Sequence, residues 1–303
     1  MIKFMSIDIV DACNLSCRTC ARGQRVMPNT GRKIDVTTMS KVISKAKEEN
    51  IEQISMFNWS EPFLHPNIDL FVQEIKNAGI RASISSNLSL ENVPNLIPSL
   101  LNGLNTLSVS VSGFTQEVYS INHVNGNVAN VKKNLLEIVE ARKQAKIYTN
   151  VIIKYIKFKH NVHEVKYFEE FAKTNSFFFQ EIEGIGDPLA PPDRKTLCEW
   201  DAALGAQIVQ NCSRQQTNRS SIFSETCELG GRIVVLDSSA DIYLCCRFPN
   251  CSFLKIGNYL EQRRDAIFLL QHTHPFCLTC KWKRVAFSNE DVQCIKGIDY
   301  NKG

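Results

Sequence analysis

The run from residue 2 to 10 is almost continuously apolar, the pattern of a buried strand. From Asp35 the spacing changes. Val36, Met39, Val42, Ile43 and Ala46 recur at helical intervals behind a carboxylate suited to capping. Residues 51–57 read as a second strand. Phe71, Val72, Ile75 and Ala78 then mark a helix that Gly79 can stop. Residues 80–86 are strand-like, and 96–101 suit a short helix. Residues 104–112, LNTLSVSVS, alternate as a strand with one polar face. Val128, Val131, Leu135 and Ile138 form another helical stripe, followed by a strand at 148–157. Val165, Phe168 and Phe171 share a helix face, and 177–182 reads as a sixth strand.

The pattern is thus six β-then-α units, with the last helix expected beyond Pro188, Pro191 and Pro192. Strict alternation predicts an α/β fold with a parallel sheet, and six units a partial (β/α)6 TIM-like barrel. In such sheets reactive residues gather at the C-terminal ends of the strands. The polar stretch QQTNRSSIFSET reads as a linker, after which a cysteine-rich tail begins. The expected organisation is a core over 1–213, a linker over 214–226 and a small domain over 227–303.

Composition narrows the class. The 303 residues carry a formal net charge of +4, too small to argue for nucleic acid or membrane as a partner. The densest basic run, from Lys281 to Arg284, is short and lacks interleaved aromatics on a wider stripe. No apolar run is long enough to span a membrane, and the first ten residues lack a secretory pattern. The expected location is therefore cytoplasmic. There, 12 cysteines point to metal ligation, reactivity or core filling rather than disulfides.

Three of those cysteines, Cys13, Cys17 and Cys20, lie in CNLSCRTC directly after the first strand. Thiolates are preferred iron–sulfur ligands, and a cluster usually takes four. The spacing CxxxCxxC at this place resembles the radical S-adenosylmethionine (SAM) superfamily. The resemblance implies that the three cysteines hold a [4Fe–4S] cluster whose fourth iron is chelated by the amino and carboxylate groups of SAM. Reductive cleavage of SAM would then give a 5′-deoxyadenosyl radical that abstracts a substrate hydrogen. The second strand ends in NWSEP, and Trp59, Ser60 and Glu61 stand where relatives bind the SAM amino group, with Ser60 replacing a glycine. Ser85 and Asn87 match cofactor-facing positions after the third strand. Ser110 and Ser112 match a ribose-binding fourth strand. Thr19 stands where the family often has an aromatic residue.

The tail resembles the SPASM/twitch group. Cys227 precedes a hairpin-like stretch ending in Cys245 and Cys246, and Cys277 and Cys280 form a CxxC. Ala240 occupies a turn position that is usually glycine. The resemblance implies one auxiliary [4Fe–4S] cluster on Cys227, Cys245, Cys277 and Cys280, with Cys246 an alternative to Cys245. On spacing alone a zinc ribbon is also open. Cys294 is either a hydrogen-atom donor or inert.

The implied activity is radical oxidation of an alcohol in a sugar-like or other small polar substrate, the electron leaving through the auxiliary cluster. The proton-accepting base is not identifiable; Lys154 and Tyr155 are its candidate neighbours. The alternative is a maturase that cross-links or epimerises a ribosomally made peptide. A non-enzymatic iron–sulfur or zinc protein is the third reading. Either enzyme would need an electron donor such as flavodoxin or ferredoxin.

Overall fold

The computed structural model describes residues 2–25, 27–184, 231–246, 248 and 250–277. Strands β1 (Phe4–Ile7), β2 (Gln53–Ser55), β3 (Arg81–Ser86), β4 (Thr106–Val111), β5 (Asn150–Lys157) and β6 (Phe178–Glu183) pair in sequence order, all parallel. Helices α1 (Val36–Glu48), α2 (Ile68–Asn77), α3 (Leu96–Leu101), α4 (Gln116–Asn122), α5 (Val128–Gln144) and α6 (Val165–Thr174) run between them. The Asp35 carboxylate caps α1, accepting from Thr38 N at 2.9 Å.

Strand alternation divides the sheet into two unlike faces. Met5, Ile7, Ile54, Ala82, Ile84, Leu107, Val109, Val111 and Ile153 join the helices' Met39, Val42, Phe71, Val131 and Phe168 in one core. The intervening residues form the other face. Ser6 aligns with Ser55, Ser55 with Ser83, Ser85 with Ser108, and Ser110 with Lys154. Helices therefore cover one side, and a serine-lined face is left for the site.

Two features differ from the sequence reading. Helix α4 was not marked by the apolar pattern, because seven residues give too few repeats to show a period; Thr115 caps it through Val118 N. The tail hairpin also continues the barrel sheet. β7 (Ile233–Leu236) pairs with β1 in parallel, followed by antiparallel β8 (Asp241–Tyr243) and β9 (Lys255–Asn258) and by helix α7 (Arg264–Thr273). The order is β6-β5-β4-β3-β2-β1-β7-β8-β9. Ala240 closes the β7–β8 turn at φ 61°, the left-handed conformation for which glycine is preferred. The expected linker at 214–226 and the helix before it lie outside the described residues.

Candidate active site

The cysteine loop leaves β1 at the end of the sheet where the strands' C-termini emerge. Its chain returns by pairing Val10 with Lys33. One flank is held by the end of α4 and the segment after it: Ser16 N donates to Val124 O (3.0 Å), and Arg18 N to Asn122 O (3.1 Å). Thr19 Oγ1 donates to Asn122 Oδ1 (3.0 Å), so the residue standing where relatives have an aromatic serves as a brace. The other flank is held by Arg22, which donates to Trp59 O (2.7 Å) and Pro28 O (2.6 Å). Gly23 makes the fold-back possible. A Cβ there would lie 2.2 Å from Cys17 O and 2.5 Å from Cys17 N.

NWSEP is held by a residue that sequence reasoning missed. Asp8, fully buried just beyond β1, accepts from Asn58 N (3.0 Å), Trp59 N (3.0 Å) and Ser60 Oγ (2.5 Å). Burial pushes its pKa up, and Ser60 and Arg22 counter that. The signal was a lone carboxylate inside the apolar run SIDIV. Glu61 N donates to Ala12 O (2.9 Å), joining NWSEP to the cysteine loop.

The Glu61 carboxylate is 1% exposed and accepts from Ser86 Oγ (2.7 Å), Asn87 N (2.8 Å) and Phe63 N (3.1 Å). Burial raises its pKa to about 7 in spite of these donors. It thus ties the ends of β2 and β3 together. Asn87 donates to Asn14 Oδ1 (2.9 Å) and approaches Cys13 Sγ (3.8 Å). Ser85 and Ser110 are half-buried on the serine-lined face. Ser112 is fully buried with its hydroxyl 2.6 Å from His123 Nδ1, so a direct ribose contact would require it to exchange that partner. Lys154 lies beside Ser110 on the open face, its pKa lowered by burial. Tyr155 lies on the opposite face and donates to Asn161 O (2.8 Å).

The radical SAM superfamily matches residues 7–172, more than half of the chain. The chain belongs to the radical SAM superfamily. It is therefore an enzyme family member that uses SAM and a [4Fe–4S] cluster, which sets aside the purely binding reading. No curated protein sequence matches it.

Among solved structures, Streptococcus suis SuiB bound to S-adenosylmethionine has a TM-score of 0.66 at 13% identity. The match covers 93% of this chain and 68% of that one. SuiB bound to its precursor peptide SuiA gives 0.65 at 14%, covering 97% and 69%. BtrN in complex with AdoMet and 2-DOIA gives 0.51 at 14%, covering 94% and 87%. At these identities the likeness is one of fold.

The residues present fit the superfamily's cluster. Burial raises the Cys13 thiol to about 12, with Glu61 and Cys20 adding to the effect. Burial likewise holds Cys17 well above its usual value, with Cys20 and Cys13 next. The three thiols thus share one electrostatic neighbourhood, in which a bound cationic iron would favour the thiolates. Among the described residues no three ligating side chains converge as on a single ion. A cubane cluster places each thiolate on a different iron and asks for no such convergence.

Of the tail's cysteines, Cys245, Cys246, Cys251 and Cys277 are described. Cys245, Cys246 and Cys277 pack against a small apolar cluster of Val235, Tyr243, Leu244, Phe248, Leu254 and Phe276. Trp59 of NWSEP donates through its indole to Phe248 O (3.2 Å). Arg32 makes a second tie, pairing with Asp11 (2.8 Å) from the cysteine loop and with Asp237 (3.2 Å) from the β7–β8 turn. Cys227 and Cys280 lie outside the described residues.

Proposed function

We propose that this radical SAM enzyme oxidises an alcohol of a sugar-like or other small polar substrate. Cys13, Cys17 and Cys20 would hold the SAM-binding cluster. Cys227, Cys245, Cys277 and Cys280 would hold one auxiliary [4Fe–4S] cluster in a twitch-type tail, with Cys246 able to replace Cys245. When bound, the first cluster and SAM supply the 5′-deoxyadenosyl radical for hydrogen abstraction.

The observation that carries this reading is the packing of Cys245, Cys246 and Cys277 against the apolar cluster that includes Phe248, whose carbonyl accepts from Trp59 of the SAM-side loop. Four thiolates would close an auxiliary cluster to SAM and leave it able to carry an electron. An oxidation needs such an outlet beside the substrate.

This chain's own residues have defined tasks in that scheme. Glu61, freed of its proton, would meet the SAM ammonium. Asp8 holds the backbone of Asn58, Trp59 and Ser60 in place for the approach. Ser85 and Ser110 would present hydroxyls on the open face toward SAM, and Lys154, beside Ser110 on that face, would neighbour the proton-accepting base. A small redox protein such as flavodoxin or ferredoxin would supply the initiating electron. No helix among the described residues is long and apolar enough to cross a membrane.

The test is anaerobic reconstitution followed by substitution. Wild-type chain should bind about eight irons and eight sulfides, from two cubane clusters. Cys277→Ala with Cys280→Ala should keep uncoupled 5′-deoxyadenosine formation and lose the oxidised product. Four irons and one zinc in the wild-type chain would overturn the auxiliary-cluster assignment. The second reading, modification of a ribosomally made peptide, draws support from β6, the end strand of the sheet among the described residues, where Phe178 is 63% exposed. An extended chain can add to such an edge. Turnover of a precursor peptide, with no alcohol oxidised, would decide for it.

A further inference from the structure

Asn87 stands directly after β3, buried, with its backbone and its side chain both anchored. Its backbone N–H donates to Glu61 Oε2 at 2.8 Å, and its side-chain oxygen accepts from Ser89 N at 2.8 Å. A backbone N–H can only donate, so the Ser89 bond decides which way the amide points. The NH2 group therefore faces the cysteine loop. There it donates to Asn14 Oδ1 at 2.9 Å and lies 3.8 Å from Cys13 Sγ.

A second N–H reaches the same sulfur, that of Leu15 at 3.4 Å. Asn14 Oδ1 lies 3.9 Å from it, an acceptor for the Cys13 thiol proton. On iron that proton is gone, and the sulfur becomes an acceptor only. The Asn87 amide carries two hydrogens, so the bond to Asn14 leaves one for the sulfur. In the sequence Asn87 matches a cofactor-facing position. The Ser89 bond turns its free hydrogen toward a cluster ligand.

We propose that the Asn87 amide donates a hydrogen bond to the Cys13 sulfur of the SAM-binding cluster, beside Leu15 N–H, and raises that cluster's reduction potential. This rests on the assignment of Cys13, Cys17 and Cys20 as ligands. It is independent of the substrate and of the tail. Reduction adds negative charge to the cluster and its thiolates, so a donor aimed at sulfur stabilises the reduced form more than the oxidised one. Hydrogen bonds to sulfur are among the factors that set cluster potentials. Asn87 acts through Cys13 and is in this sense a positioning residue.

The test uses Asn87→Leu, close in size but without the donor, in the full-length reconstituted chain with iron and sulfide counts matched to wild type. The signal of the first cluster is identified by its loss in the Cys13→Ala, Cys17→Ala, Cys20→Ala variant. Its midpoint potential is measured by spectroelectrochemistry without SAM. The expected result is a more negative potential, with the reduced-to-oxidised ratio at a fixed donor potential falling several-fold; tenfold corresponds to about 59 mV for one electron. Electron–nuclear double resonance of the reduced cluster, compared in H2O and D2O, should show one exchangeable proton coupling fewer than wild type. The coupling from Leu15 N–H should remain. Asn87→Ala, measured in parallel, should show both changes.

An unchanged potential would overturn the proposal, and weakened SAM binding alongside it would reassign the amide to SAM. A shifted potential with every exchangeable coupling retained would also overturn it, since packing would then account for the shift. Failure of both variants to load the cluster would do the same, because Asn87 would then build the loop rather than tune the cluster. Retention of the cluster signal in the triple cysteine variant would instead overturn the ligand assignment, and this proposal with it.

Discussion

Glu61 shows how one residue can join strand ends and also stand ready to bind a ligand. Its pKa is raised from 4.5 to about 7 by burial. A raised folded-state pKa stabilises the fold fully below pH 4.5, and that contribution is lost as pH rises through 7. The metal-free chain should therefore lose on the order of 3 kcal/mol between these limits from this group. Glu61→Gln should flatten that slope in denaturant titrations across pH. In the loaded enzyme the carboxylate must be ionised to meet an ammonium, so SAM affinity should fall as pH drops below 7. Glu61→Ala should weaken SAM binding at every pH, as read by equilibrium binding; unchanged affinity would dissociate NWSEP from SAM. Glu61 was legible in the sequence as a loop carboxylate beside Pro62. Two of its three donors were not, because Ser86 and Asn87 lie at the end of another strand.

The cysteine loop is an element with little regular structure, so its shape depends on its braces and on close approach. Gly23→Ala would press a methyl group against the Cys17 backbone. Overpacking of this kind costs roughly 1–3 kcal/mol. The expected outcome is a several-fold fall in iron bound at the first site, read by iron analysis, with the barrel still folded by circular dichroism. Substituting Cys13, Cys17 and Cys20 together by alanine should abolish 5′-deoxyadenosine formation while sparing iron bound by the tail. Helix α4 was invisible in the apolar pattern, yet it holds the loop through Asn122 and Val124. A seven-residue helix shows no clear period, and its importance lies in what its carbonyls reach.

At the scale of the molecule, the tail and the barrel share one sheet, and Arg32 links the loop to the tail across it. Its guanidinium is half exposed, whereas Asp237 is 5% exposed. Solvent weakens the ion pair, but Arg32→Met would leave a buried carboxylate with less compensation. The expected loss is roughly 1–2 kcal/mol, below that of a fully buried pair. Limited proteolysis should then release the tail faster, while iron at the first site is retained. Equal proteolysis rates would mean that β1–β7 pairing alone secures the tail.

The sequence by itself determined the alternation of strands and helices, the position of three thiols after the first strand, and the family they belong to. These are local: hydrophobic period and residue spacing act within a few turns of chain. It also placed Trp59, Ser60, Glu61, Ser85 and Asn87 at strand ends. What only the tertiary structure decided is which of those side chains meet. Asp8 under NWSEP, Arg32 between Asp11 and Asp237, Ser112 on His123, and Tyr155 on the far face all depend on pairings between distant segments. Strand register decides the face of each side chain, and it is fixed by sheet pairing and core packing rather than by neighbours in sequence.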